Sequence, residues 1–181
     1  CSLGRLVACR GPAAVPFTHR LADVNAIETA ATDARQAIAY ITSNAADLGI
    51  DPTRLCLWSI SGGGVLVAPL LREYAGRLRC FISYYNIFTP TVFQALVSDA
   101  AVPPRTPGVV ELLLRDSLTL PPTFVVRAGR DDRRLNADLD RFIAAALERG
   151  ADLEVHAFAS GRHGFDVLDD TPRSREIVLR T

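Results

Sequence analysis

A chain of 181 residues is long enough to bury one substantial core, and we expect a single domain over residues 1–181. Its 20 basic residues, all arginine, balance 20 acidic residues, so no net charge favours nucleic acid or an anionic membrane. The absence of lysine excludes a lysine Schiff base and a P-loop lysine. No apolar run reaches the roughly 18 residues of a membrane span, so we expect neither a nucleic-acid nor a membrane partner.

The first half of the chain predicts two strands around one long helix. Gly4–Arg10 is a short apolar run that favours a strand. Val24–Leu48 carries apolar residues at three- and four-residue intervals, which predicts an amphipathic helix, and Gly49 has the position of its C-terminal cap. Leu55–Trp58 then favours a buried strand, and Val65–Leu71 the apolar side of a second helix.

The second half predicts three further strands, separated by helices. Residues 86–121 are rich in proline and predict a less regular lid or pocket wall that contains two short amphipathic pieces. A last helix opens at Thr171, which is followed by a proline at the first helical position. The predicted strands are Cys80–Tyr85, Thr123–Ala128 and Leu153–Phe158, the helix between the last two is Leu135–Arg149, and the amphipathic pieces are Val92–Val97 and Val109–Leu114.

The alternation of strands and helices predicts an α/β fold, with a mainly parallel sheet and helices on both faces. In such sheets, ligands bind beyond the carboxyl ends of the strands. The residues that follow each predicted strand are therefore where we expect the chemistry.

The residues that follow three strands are those that acyl transfer requires. Ser61 follows the first of them and precedes Gly62–Gly64, while Asp131 and Asp132 follow the second and His163 the third. A neutral serine needs a histidine to take its proton, and a carboxylate orients that histidine. The glycines indicate a sharp connection where the backbone needs positive φ or another segment comes close, which would expose the serine.

Several of these positions have a plainer structural interpretation. Ser61 would equally serve as a turn hydroxyl. His156 lies inside a strand pattern and is expected to be a sheet residue, and His19, in an early loop, would border a pocket or meet solvent. His163, in a loop after a strand, is the candidate base.

The acidic partner is harder to choose, because Asp131 and Asp132 are adjacent and either could be the acid. The other one would be solvated or would cap the following helix. Asp166, Asp169 and Asp170 are expected to form a solvated run that leads into the last helix.

The segments LGIDPTRLCLWSISGGG, VVRAGRDD and HGFDVLDD resemble α/β-hydrolases, in particular the esterase and dienelactone-hydrolase-like group. The likeness runs from about Gly4 to Arg180. The nucleophile elbow of these enzymes is G-x-S-x-G, and their triad runs serine, acid, histidine. Here Ser59 stands at the first small position and Gly63 at the second.

The resemblance implies a role for each candidate residue. Ser61 would be the nucleophile, His163 the base and Asp131, favoured over Asp132 by the AGxD pattern, the acid. The N–H group of Gly62 would be one oxyanion donor. The group needs no cofactor and no metal. Dienelactone hydrolases proper use a cysteine nucleophile, so Ser61 indicates ordinary esters.

The N-terminal part departs from this group. Such hydrolases usually carry two or three strands before the equivalent of Gly4–Arg10, and one connection bears an HGG-like loop with a second oxyanion donor. We therefore expect an α/β-hydrolase-like fold that lacks the first strands. The chain opens on Cys1 and contains no methionine, which favours a processed or incomplete chain.

The cysteines and the cellular location are less informative. Cys1, Cys9, Cys56 and Cys80 show no C-x-x-C spacing, and three of them lie in apolar strand-like runs, so we expect buried free thiols. A cytoplasmic location is the simplest expectation.

The sequence thus predicts a serine hydrolase that cleaves a small carboxylic ester through an acyl-enzyme intermediate. The alternative is a catalytically weak or inactive α/β-hydrolase-like binding module. A Rossmann-type domain with SGGG at a phosphate is disfavoured, because G-x-G-x-x-G and the P-loop pattern are both absent. Association into a homo-oligomer is left open.

Overall fold

A computed structural model describes residues 3–97, 106–115 and 118–181 of the chain. Within these ranges, four strands form a parallel sheet whose spatial order follows the chain order. Parallel neighbours need a crossover connection, and helical segments supply it here. The predicted strands are confirmed as β1 (Leu55–Ile60), β2 (Leu78–Tyr84), β3 (Thr123–Ala128) and β4 (Leu153–Phe158).

Helices account for most of the remaining described chain. Three short 3₁₀ segments accompany them, at Val24–Ala26, Ser61–Leu66 and Ala75–Arg77. The helices are α1 (Leu3–Ala8), α2 (Ile27–Ser43), α3 (Ala45–Leu48), α4 (Val67–Tyr74), α5 (Pro90–Val97), α6 (Val109–Leu114), α7 (Arg133–Glu148), α8 (Phe165–Leu168) and α9 (Pro172–Arg180). In the described ranges, none of them is long and apolar enough to cross a membrane.

Helices cover both faces of the sheet, as predicted. Side chains of a strand point alternately to the two faces, so Phe81 and Val125 face one way and Tyr84 and Val126 the other. The first pair packs against α4, α6 and α7, and the second against α8 and α9. Helix α2 packs beside α4 and the 3₁₀ segment before it. Its residues Ile27, Ala30 and Ala34 share a buried cluster with Val65 and Leu70. Because the strands are parallel, their carboxyl ends lie at the same edge of the sheet.

The first predicted strand is wrong, because Gly4–Arg10 lies in and after helix α1. The half-buried apolar residues of helix α1 are Leu3, Leu6 and Val7, which recur at three- and four-residue intervals. That spacing puts them on one face of a helix. A short apolar run does not distinguish helix from strand by composition, and here no strand of the described sheet pairs with it.

The proline-rich segment contributes to the core where the structure describes it. Its two amphipathic pieces are confirmed as helices α5 and α6. Phe88, Val109 and Leu113 are almost fully buried beneath α7. Pro103 and Pro104 lie outside the described residues. The role of residues 86–121 as a lid or pocket wall stays a prediction.

The expectation of buried free thiols is wrong for three of the four cysteines. Cys56 and Cys80 form a disulfide between β1 and β2, where the parallel register places them opposite each other. Cys9 is a free but exposed thiol. Cys1 lies outside the described residues. Linear spacing gave no sign of the disulfide, because the two cysteines are 24 positions apart in the sequence and lie on different strands. The cytoplasmic location stays a prediction. The disulfide does not favour it, because disulfides are rare in cytosolic proteins.

Gly64 allows the chain after β2 to pass directly beside the chain after β1. A Cβ atom at Gly64 would overlap the carbonyl oxygen of Ile87, which is backbone and cannot swing aside. We therefore expect Gly64→Ala to lower the free energy of unfolding by about 1–3 kcal/mol, as overpacking does. Urea denaturation measures the change. Gly76→Ala is the control, because a Cβ there meets nothing within 4 Å; equal losses in the two variants would contradict the packing argument.

Candidate active site

The serine of the predicted elbow lies at the carboxyl end of β1. Ser61 begins the 3₁₀ segment that leads into α4, and its φ of 54° is in the left-handed region. Non-glycine residues rarely adopt this conformation, and it clusters at functional sites. The N–H of Ile87 donates to the Ser61 carbonyl at 3.0 Å and helps to hold the turn. Thus the serine, not a glycine, carries the unusual backbone angle.

The glycines serve close packing around Ser61. None of Gly62, Gly63 and Gly64 has a positive φ. The absence of a side chain instead lets neighbouring groups come close to the backbone here. Beside Gly62, a Cβ would lie 3.0 Å from the ring of Phe93 on α5. The elbow therefore has a buried aromatic wall on one side.

A buried network of side-chain hydrogen bonds lies next to the elbow. The hydroxyl of Ser59 donates to the side-chain oxygen of Asn86 at 3.2 Å, and the Asn86 amide nitrogen donates to Ser83 Oγ at 3.0 Å. All three residues are buried. This network joins the ends of β1 and β2. Buried polar groups that are fully hydrogen-bonded make a site more rigid.

Ser61, His163 and Asp131 form one continuous line of hydrogen bonds. Ser61 Oγ lies 2.8 Å from His163 Nε2, and His163 Nδ1 lies 2.7 Å from Asp131 Oδ2. The second oxygen of Asp131 accepts from the N–H of Asp132 at 2.8 Å. The Asp131 side chain is 3% exposed and that of His163 is 41% exposed. With its proton on Nδ1, the neutral imidazole donates to the carboxylate and accepts from the serine.

Asp132 bonds the start of helix α7, whereas its neighbour Asp131 bonds His163. Asp132 is the N-cap of α7 and accepts from the N–H of Arg134 at 2.7 Å. The hydrogen bond from the Arg134 guanidinium lowers the pKa of Asp132 to about 2. Of the two adjacent aspartates, the structure turns Asp131 towards the histidine and Asp132 towards the helix.

The other two histidines lie in other contacts. His156 is buried on β4, where it stacks on Phe124 with ring centroids 4.7 Å apart and bonds Glu154 at 2.7 Å. It is the sheet residue that the sequence predicts. His19 is exposed, with the ring of Phe17 at 6.2 Å.

Tyr85 is a site residue that the sequence placed only among the aromatic residues of an expected apolar pocket, with no part in the triad. It follows β2, is 3% exposed, and its ring centroid lies 4.6 Å from that of His163. Its hydroxyl donates a hydrogen bond to Asp166. Burial first, and then this bond, raise the pKa of Tyr85 well above its usual range. The phenol is therefore a permanent donor at neutral pH.

The expectation that the late acidic run is solvated is wrong for two of its members. Asp166 is half-buried and bonds Tyr85, and Asp169, 20% exposed, pairs with Arg162. Asp170, 80% exposed, is solvated and pairs with Arg175. No local pattern predicted the contact of Asp166, because Tyr85 lies 81 residues earlier in the sequence.

The predicted oxyanion donor lies next to the serine. Gly62 is the second residue of the 3₁₀ segment, and the first N–H groups of a helix have no acceptor within it. This position suits a donor to an oxygen held beside Ser61. Across residues 3–97, 106–115 and 118–181, no three histidine, cysteine or carboxylate side chains are grouped to hold a metal ion.

Comparisons with known proteins agree with the fold. The family model BD-FAE matches residues 3–74, which is less than half of the chain. No match to a curated protein was found. A bacterial heroin esterase is 19% identical, with 90% of this chain and 60% of that chain covered and a TM-score of 0.66.

Two further solved structures are comparable. The esterase LipW from Mycobacterium marinum is 19% identical, with 84% of this chain and 55% of that chain covered and a TM-score of 0.67. Carboxyl esterase 2 from the fungus Tuber melanosporum is 15% identical, with 84% and 59% covered and a TM-score of 0.61. The chain spans 57% of the length of another such structure and 58% of a further one. Together with the parallel sheet, these likenesses show that the chain has the α/β-hydrolase fold.

Proposed function

We propose that this protein is a serine hydrolase that cleaves small carboxylic esters through an acyl-enzyme intermediate. One observation carries the proposal: the hydrogen-bonded line from Ser61 through His163 to the buried Asp131. Nucleophile, base and orienting acid are recognised by this mutual geometry. The esterases among the solved structures of similar fold add support for the ester as substrate class.

The proposed reaction has two halves. Ser61 Oγ attacks the ester carbonyl carbon while His163 Nε2 takes the hydroxyl proton, and the carbonyl oxygen becomes an oxyanion. When the C–O bond to the alcohol breaks, His163 returns the proton to the leaving oxygen. Water then attacks the acyl-serine with the same base, and the acid and free serine are released.

Electrostatics favour the charged intermediates of this scheme. The Asp131 carboxylate, held by His163 and by the N–H of Asp132, stabilises the imidazolium that forms in each half. The N–H of Gly62 is proposed as an oxyanion donor, because it follows the nucleophile directly. Phe93, packed against Gly62, is proposed as an apolar wall for the acyl or alcohol group.

The adjacent aspartates provide a matched test of this function. We expect Asp131→Asn to lower kcat for p-nitrophenyl acetate by about 10³–10⁴-fold, because the amide stabilises the wrong imidazole tautomer. Asp132→Asn should change kcat a few-fold at most, since Asp132 caps α7. Initial rates and circular dichroism of both variants make the comparison.

Two results would contradict the proposal. A larger loss from Asp132→Asn would exclude Asp131 as the acid. Absence of hydrolysis by the unmodified protein over a series of short-chain esters would favour the alternative, a catalytically weak or inactive binding module with an α/β-hydrolase fold.

A further inference from the structure

We propose that Tyr85 is a positioning residue, which holds His163 in line with Ser61 through its ring and through the bond from its hydroxyl to Asp166. The inference rests on the proposed ester hydrolysis. It adds a residue from the end of β2 to the three that come from the ends of β1, β3 and β4.

The backbone of Tyr85 is fixed in an unusual conformation. Its φ of 38° is in the left-handed region, which is costly for an aromatic residue. Its N–H donates to the carbonyl of Val126 on β3 at 2.8 Å, which continues the parallel pairing past the end of β2. Ser61 is the other non-glycine residue with positive φ in the described ranges. Strain of this kind persists where the surrounding structure enforces it, and here it occurs at two neighbouring strand exits.

The Tyr85 ring packs against the imidazole of His163. The His163 side chain is 41% exposed, and its two ring nitrogens are bonded to Ser61 and Asp131. The Tyr85 ring lies against it at 4.6 Å between centroids with the planes inclined by 58°, and also meets Phe165 edge-on at 5.8 Å. One rigid, buried ring thus contacts residues on both sides of Gly164.

The hydroxyl of Tyr85 ties down the segment that carries the histidine. Asp166 lies in α8, a helix of four residues that begins directly after Gly164. A hydrogen bond to a carboxylate is roughly twice as strong as one between neutral groups. Burial raises the pKa of Tyr85, so the phenol keeps its proton at neutral pH and the bond persists. The guanidinium of Arg162 also holds this segment, because it donates to the carboxylate of Asp169 and to the carbonyl of Leu168.

The neighbouring tyrosine provides a matched control. Tyr84 is also buried, burial raises its pKa to about 12, and its hydroxyl bonds Thr181 at 2.6 Å. Tyr84 stacks on Phe165, but its hydroxyl bonds Thr181 just after α9 and not the segment of His163. Tyr84→Phe and Tyr85→Phe therefore remove the same group from adjacent buried sites.

The kinetic test separates positioning from stability. We expect Tyr85→Phe to lower kcat for p-nitrophenyl acetate about 10–100-fold with KM within about twofold, because the proton acceptor is misplaced while the pocket is unchanged. Asp166→Asn keeps an acceptor oxygen and should retain kcat within about threefold, whereas Asp166→Ala should match Tyr85→Phe. The double variant Tyr85→Phe/Asp166→Ala should lose no more than either single change, since the residues share one bond. Urea denaturation corrects each variant for stability.

A wild-type kcat in Tyr85→Phe, or the same loss of kcat in Tyr84→Phe, would overturn the proposal. Fluorophosphonate labelling distinguishes this failure from failure of the proposed function. Labelling of the unmodified protein and of Tyr85→Phe at equal rates would refute positioning alone. No labelling of the unmodified protein would refute the function on which the inference rests.

Discussion

Ser61→Ala is expected to abolish covalent labelling by a fluorophosphonate and to lower ester turnover by about 10⁶-fold, while the circular dichroism spectrum stays unchanged. The physical reason is that labelling needs an oxygen nucleophile whose proton is taken by a base. Ser61 Oγ, 2.8 Å from His163 Nε2, is in that position. Alanine removes the oxygen but keeps the Cβ, so packing around the elbow is conserved.

A matched serine is available for comparison. Ser59 lies two residues earlier, buried and bonded to Asn86, so Ser59→Ala should reduce stability while labelling of Ser61 continues. Mass spectrometry of the labelled protein locates the adduct. An adduct that persists in Ser61→Ala would remove Ser61 as the nucleophile.

His163→Ala is expected to lower kcat for p-nitrophenyl acetate by about 10⁶-fold, close to the loss from removing the serine. Without the imidazole, the hydroxyl proton has no acceptor and Asp131 is left with no group to orient. Because the two residues act as one unit, Ser61→Ala/His163→Ala should be no less active than either single variant. Steady-state kinetics measure all three.

His156→Ala is the control for this change. It removes the stack on Phe124 of β3 and the bond to Glu154 of β4, so we expect lower stability with kcat within a few-fold of the unmodified protein. If His163→Ala hydrolyses the ester at the unmodified rate, the proposed base is wrong. Ser61 would then be better interpreted as a turn hydroxyl in a binding module.

Local pattern determined the regular elements of this chain. The strands from Leu55 onward are short apolar runs bounded by turn residues, and the long helices repeat apolar residues at helical intervals, so each element is specified by its own sequence. Topology then follows, because strands that alternate with helices form a parallel sheet with its carboxyl ends on one side. That rule alone was enough to select Ser61 and His163 as candidates that should meet.

Tertiary structure decided what depends on direction and register. Which of Asp131 and Asp132 faces His163 depends on the direction in which the loop turns each carboxylate, and the sequence favoured Asp131 by resemblance only. The disulfide of Cys56 and Cys80 depends on the register between two strands that a helix separates. These are contacts across the chain, and local periodicity carries no record of them.

The N-terminal run and Tyr85 are two further features that the sequence alone did not predict. The apolar composition of Gly4–Arg10 fits a strand as well as a helix. Which of the two forms depends on the surface against which these residues pack. Tyr85 ends the Cys80–Tyr85 run as one more buried aromatic, but its left-handed backbone brings the hydroxyl to Asp166 and the ring to His163. The sequence predicted the apolar faces of the main strands and helices and the polar residues that follow each strand. Only the fold decided which buried groups face one another, because hydrogen bonds and ring contacts are set by the distance between elements and not by the distance along the chain.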